Sequence, residues 1–219
     1  MTDTPVLQLD GVSKYFDQRL VVDGVSLSIG HGEHVAVLGA RGAGRSTLAG
    51  IVTGRLTPNT GRVHRFGSVG PPIGKPAGIG TTGRLERDLA MRAALWGIDK
   101  GTLTDAVFRA LGRLSAAGLA DVRAEDVLTR RADRLPEVVR QTVLHAAAWA
   151  VPAPLYVVDG PIRPNDRRAA RAVAPWIQAA IATSALLWFP PKGSALRHTQ
   201  VSRALTLRNG RLHGSIAAS

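Results

Sequence analysis

Continuous apolar runs alternate with amphipathic stretches along this chain, and that alternation predicts an α/β fold. Val6–Leu9 alternates as a half-buried strand does, and 21–29 reads as a strand pair or one long bent strand. Arg62–Phe66 follows the Pro58-Asn-Thr-Gly61 turn as a short strand. His34–Leu38, Leu155–Asp159 and Ala185–Phe189 are nearly unbroken apolar runs, as strands covered on both faces require. Leu85, Leu89, Ala93 and Trp96 recur at helical spacing and stop at Gly97; Leu103, Val107, Ala110, Leu111 and Leu114 do the same towards Gly118. Further helices are expected over Glu137–Ala150 and Arg167–Ile181, and a glycine- and proline-rich loop over 70–83. Val201–Leu212 reads as a hairpin around Asn209-Gly210. The predicted architecture is a mainly parallel core sheet with antiparallel N-terminal strands and a helical subdomain. It forms one domain over 1–219, with the core at 1–79 and 151–219 and the helices at about 80–150.

Composition narrows the chemistry. With 219 residues and 45% hydrophobic content the chain is long and apolar enough for a real core. It has no cysteine, which excludes disulfides, thiolate metal sites and a cysteine nucleophile. His31, His34, His64, His145, His198 and His213 show no metal-ligand spacing. Residues 1–5 lack the basic segment and apolar stretch of a secretory signal. The most apolar stretch, 146–158, is broken by Pro152 and Pro154, so no spanning helix is expected.

The net charge of +12 raises the question of an anionic partner. Its sources are mostly arginines spread from Arg19 to Arg211. Arg163, Arg167, Arg168 and Arg171 would lie on a helix opposite Val173, Trp176, Ile177, Ala180 and Ile181, as a solvated face. Neither an aromatic-interleaved basic ribbon nor a recognition-helix pattern is present, so no nucleic-acid partner is expected.

The sharpest motif is Gly39-Ala40-Arg41-Gly42-Ala43-Gly44-Arg45-Ser46-Thr47, between the 34–38 strand and the helix that opens on Leu48. It satisfies G-x-x-x-x-G-K-[ST] at every fixed position but one: Arg45 replaces the lysine. Glycines allow successive N–H groups to curl around a phosphate, and the helix N-terminus adds positive potential. Arginine keeps the charge but is bulkier and planar, so it fits the place of an ammonium imperfectly. A tight turn that binds nothing is the alternative. Asp159, at the end of an apolar strand, is placed to hold Mg²⁺ together with Ser46.

The chain resembles the nucleotide-binding subunits of ABC transporters over nearly its whole length. Gly11-Val-Ser-Lys-Tyr15-Phe16 is similar to the family's adenine-stacking loop, which implies that Phe16 contacts the base. Asp23–Ile29 with Gly32-Glu33 resembles the lead into the phosphate loop, and Ser202–Leu212 resembles the closing hairpin. The interval from Leu135 to Asp159 equals that between the family's signature and its magnesium aspartate. Pro72-Ile73-Gly74, the glycine-rich loop and the Gly83–Gly97 segment are most similar to capsular-polysaccharide export ATPases. A phosphate-loop kinase or GTPase would leave the hairpin and the 135-to-159 interval as coincidences.

The resemblance implies ATP and Mg²⁺ as ligands, separate permease subunits, and a head-to-tail homodimer or heterodimer with a second nucleotide-binding subunit. It also implies a peripheral place on the cytoplasmic face of the inner membrane. Several family positions are altered. Leu135-Pro136-Glu137-Val138-Val139 stands where the signature is Leu-Ser-Gly-Gly-Gln, and Gly160 takes the place of the catalytic glutamate. Gly80 aligns with the Q-loop glutamine and Pro190 with the switch histidine, while Asp166 matches the D-loop aspartate. Losing a positioned general base costs about 10²–10⁴-fold in rate, roughly 3–5 kcal/mol of barrier. ATP binding is expected from this sequence, and self-sufficient hydrolysis is not.

Overall fold

The computed structural model describes residues 4–74, 83–118, 123–191 and 201–216. They pack as two units: 1–75 with 153–162 and 181–219, and 76–152 with 163–180. Residues 163–180, counted with the core on sequence, group with the second unit.

In the first unit, β1 (Leu7–Phe16) and β2 (Arg19–Ile29) form an antiparallel hairpin, with β4 (Thr60–Arg65) on the other edge of β1. The alternation at Leu7 and Leu9 resumes at Val12, after a register shift at Gly11, whose φ is 57°. This irregularity lets β1 continue to Phe16, well past the expected end at Leu9. Asp17 and Gln18, at φ 44° and 66°, turn the chain tightly. Both φ values match the turn type that suits the twist of a hairpin. β2 is therefore one long strand.

The second sheet runs β5-β6-β7-β3-β8-β9. Its strands are β3 (His34–Leu38), β5 (Ile73–Gly74), β6 (Leu155–Asp159), β7 (Ala185–Phe189), β8 (Arg203–Arg208) and β9 (Arg211–Ile216). All pairings are parallel except β8–β9, the expected hairpin, whose turn residues Asn209 and Gly210 have φ 50° and 78°. β5 corrects the reading of 70–83 as loop throughout, since Ile73 pairs with Val158 and Gly74 with Asp159. β7 is buried at every position, which explains its unbroken apolar run. Helix α1 (Arg45–Val52) contributes Leu48, Ile51 and Val52 to a core shared with Leu9 and Val25 of one sheet and Val157 and Leu187 of the other. Each such side chain contributes about 1.5–3 kcal/mol by burial.

The second unit holds α2 (Leu85–Trp96), α3 (Lys100–Ala116), α4 (Ala124–Thr129), α5 (Glu137–Trp149) and α6, which begins at Arg167 and runs on to Thr183. α2 ends on the left-handed Gly97, and Asp99 caps α3 by accepting the Thr102 N–H at 3.1 Å. α3 and α5 pack together, and Leu103, Val107 and Leu111 of α3 and Val139 and Val143 of α5 are buried. α4 and the short 3-10 turn at Ala132–Arg134 were not expected, being too brief to show apolar periodicity. Arg167, Arg168 and Arg171 are exposed on α6 as expected, but Arg163 precedes the helix. Among the described residues, no helix is long and apolar enough to cross a membrane.

Candidate nucleotide site

Parallel order brings the C-terminal ends of β3, β7 and β6 to one edge of the sheet. The phosphate loop leaves β3, Pro190 follows β7, and Asp159 ends β6 opposite Phe189. Ligands of open α/β sheets bind at this edge.

A cleft of about 890 Å³ opens there, a size that suits a small-molecule ligand. It brings together Phe16, Arg41, Gly42, Gly44, Arg45, Ser46, Thr47 and Asp159 from the expected set. Gly39 and Ala43 line an adjoining cavity instead. Phe16 is 43% exposed, with the Lys14 Nζ over its ring at 5.4 Å from the centroid.

The loop's glycines have separate reasons. Gly42 and Gly44 take φ 84° and 99°, conformations that favour glycine. At Gly44 a Cβ would come within 2.5 Å of the Val21 carbonyl oxygen, whereas at Gly42 the space is open. Gly44 precedes α1, and the first intrahelical bond runs from the Leu48 N–H to its carbonyl at 2.9 Å. The N–H groups of Arg45, Ser46 and Thr47 are thus left without intrahelical partners, as an anion site at a helix start requires.

Arg45 is held in an unexpected way. Its Nη1 donates to the Pro190 carbonyl oxygen at 2.5 Å. Gly160 is pinned on both sides: its N–H donates to the Phe189 carbonyl at 3.1 Å, and its own carbonyl accepts the Trp188 indole N–H at 2.8 Å. Its φ of 136° is open to glycine and hostile to glutamate. No sequence signal announces either contact, because both join segments far apart in the chain.

The residues present fit a Mg²⁺-nucleotide. Asp159 is the one carboxylate among the described residues lining the cleft, and Ser46 lines the same cleft with a hydroxyl. Mg²⁺ characteristically takes one or two protein oxygens and fills its shell with phosphate oxygens and water. When bound, the ion would neutralise and orient the phosphates. Among the described residues, no cluster of three or more His, Cys, Asp or Glu residues forms a separate metal site.

The remaining expected positions lie elsewhere. Pro136 is the N-cap of α5 in the second unit and offers no side-chain cap bond. Glu137, the first residue of that helix, accepts from Arg140 Nε at 3.0 Å and from Gln141 Nε2 at 2.7 Å. These donors hold its carboxyl below the usual range, Arg140 most strongly. Asp166 accepts the N–H groups of Arg168 at 2.8 Å and Ala169 at 3.0 Å, which makes it a cap for α6. Gly80 lies outside the described residues.

A phosphate loop, a strand-end aspartate and an aromatic in one cleft define a nucleotide-binding domain of the phosphate-loop class. The family model described as "ABC transporter" matches residues 22–163, and the chain belongs to that family. It is 34% identical over 174 residues to the cytochrome c biogenesis ATP-binding export protein CcmA of Sphingopyxis alaskensis, covering 78% of this chain and 82% of that one. To the tylosin resistance ATP-binding protein TlrC of Streptomyces fradiae it is 31% identical over 166 residues, or 74% of this chain but only 29% of the relative. A solved ATP-binding subunit of an ABC transporter superposes with a TM-score of 0.77 at 21% identity, covering 96% of this chain and 89% of that chain. An ATP-binding cassette in its ADP conformation gives a TM-score of 0.68 at 18% identity.

Proposed function

We propose that this chain is the ATP-binding subunit of an ABC exporter, working with permease domains on other chains at the cytoplasmic face of the inner membrane. The observation that carries the reading is the convergence of Phe16, Arg45, Ser46 and Asp159 on one cleft. An export role is supported by the likeness to CcmA, whose name describes an export protein. The proposed cargo is a capsular or other cell-surface polysaccharide, a choice that rests on Pro72-Ile73-Gly74 and Trp96-Gly97 alone.

Within this role the chain binds Mg²⁺-ATP without turning it over efficiently by itself. Gly160, which lines the cleft, supplies no carboxylate to polarise water, and Pro190 has neither an imidazole nor a backbone N–H to donate. These features favour a second, narrower reading: a pseudo-ATPase that partners an intact subunit in a structural or regulatory capacity. In a pair of identical chains both sites carry every defect. In a mixed pair, the partner's phosphate loop keeps its own catalytic groups and faces Pro136-Glu137-Val138.

The test is to purify the chain alone and mixed with an intact exporter ATPase, then titrate Mg²⁺-ATP and follow phosphate release. The proposal expects binding by the lone chain and appreciable turnover only in the mixture. No binding by the lone chain would overturn it.

A further inference from the structure

A cavity of about 500 Å³ adjoins the nucleotide cleft, bounded by the phosphate loop and by the end of β8 with its turn. Its walls are closely fitted. A Cβ on Gly39 would meet the Leu207 carbonyl oxygen at 2.5 Å, so the loop and β8 approach backbone to backbone. The turn is held to β2 by the Asp23 N–H, which donates to the Gly210 carbonyl at 2.9 Å. An ion pair between Arg211 Nε and Asp23 Oδ2, at 2.6 Å, reinforces it.

The lining is strongly one-signed. Arg19, Arg41 and Arg208 contribute to it, and no acidic residue does. None of these arginines has a carboxylate within 4.0 Å among the described residues. Neighbouring arginines of the same unit are neutralised, Arg203 by Glu33 and Arg211 by Asp23. The hairpin register also sets Arg208 directly opposite Arg211, a like-charge pair that works against the sheet. Asp23 relieves that repulsion at Arg211 and leaves Arg208 uncompensated beside the cavity.

We propose that this cavity is a second anion site, taking a small di- or polyphosphate gripped by Arg208 together with Arg19 and Arg41. Planar guanidinium forks match phosphate oxygens two at a time, and Asn209 adds an uncharged donor at the same wall. Arg208 lines this cavity and not the nucleotide cleft, so the site does not depend on the nucleotide reading. Arg19 and Arg41 line both, so the two anions draw on shared cations, and filling one site weakens binding at the other.

The test is a calorimetric titration of inorganic pyrophosphate into the full chain. The parent binds two equivalents, one in each cavity. Arg208→Glu binds one, and Arg208→Lys, which keeps the charge but not the planar fork, binds the second more weakly than the parent. Arg208 is exposed, and Arg208→Glu turns its like-charge pairing with Arg211 into an opposite-charge one, so the thermal midpoint of each variant should equal or exceed the parent's and report an intact fold. Were the nucleotide reading wrong, the parent would bind one equivalent, which Arg208→Glu would still abolish and Arg45→Gln would leave in place. A stoichiometry unchanged by Arg208→Glu, zero included, overturns the second site.

Discussion

Arg45 Nη1 donates to the carbonyl oxygen of Pro190 at 2.5 Å and so ties the phosphate loop to the end of β7. The acceptor is a backbone carbonyl, which any residue at 190 would present, so the contact rests on the reach of Arg45 and on the neighbouring places of β3 and β7 in the sheet. The bulkier cation reaches a backbone oxygen that a proline presents at the end of the neighbouring strand. With one arm so engaged, the guanidinium is less free to wrap a phosphate than an ammonium on a flexible stem.

Replacing Arg45 with lysine should tighten Mg²⁺-ATP binding about fivefold, on the scale of one hydrogen bond, ~1 kcal/mol. Titration calorimetry on Arg45→Lys and the parent measures this. Equal or weaker binding by the variant would show that the Pro190 contact does not hold the cation away from phosphate.

Gly44→Asp should abolish nucleotide binding. It places a side chain at φ 99° with its Cβ within 2.5 Å of the Val21 carbonyl, and adds a negative charge to the phosphate cradle. Backbone strain alone should lower stability by about 1–3 kcal/mol. Denaturant titration reads the strain and calorimetry the binding, and ATP binding by a folded Gly44→Asp would contradict the cradle.

Gly160→Glu should not restore rapid hydrolysis. At φ 136°, with both backbone groups hydrogen-bonded to β7 residues, position 160 resists a side chain, and Pro190 and the 135–139 segment remain as they are. The variant should lose about 1–3 kcal/mol in denaturant titration. Rapid phosphate release from the variant alone would show that a single carboxylate suffices.

His145 sets a pH dependence. Burial pushes it from 6.5 down to about 4, and its Nδ1 has no hydrogen-bond partner among the described residues. The folded protein therefore resists protonation that the unfolded chain accepts. Stability from this group is fully present above pH 6.5 and drains away as pH falls towards 4, on the order of 3 kcal/mol. Denaturant midpoints measured across that window should fall in the parent and fall less in His145→Leu. Parallel curves would contradict the assignment.

Much of the sheet was legible because buried parallel strands are written as unbroken apolar runs: β3, β6 and β7 begin and end where His34–Leu38, Leu155–Asp159 and Ala185–Phe189 do. Asn209-Gly210 announced the last hairpin through the φ values that turn demands. α6 keeps its amphipathic pattern through Pro175, an interior residue that would ordinarily break a helix. β5 was hidden because only its pairing with β6, not its Pro- and Gly-rich composition, makes Ile73-Gly74 a strand. In the site, local motifs located Gly39–Thr47 and Asp159. The grip of Arg45 on Pro190 and of Trp188 on Gly160 was not legible, since each depends on the order of strands in the sheet.

The central claim is that this chain retains Mg²⁺-ATP and leaves it intact. The most direct measurement is to saturate the purified chain with radiolabelled Mg²⁺-ATP, separate bound from free nucleotide over time, and identify what is bound. The account predicts about one nucleotide per chain, recovered as ATP, with no sustained phosphate release. Repeated conversion to ADP and phosphate by the chain alone, or no retained nucleotide at all, would contradict it.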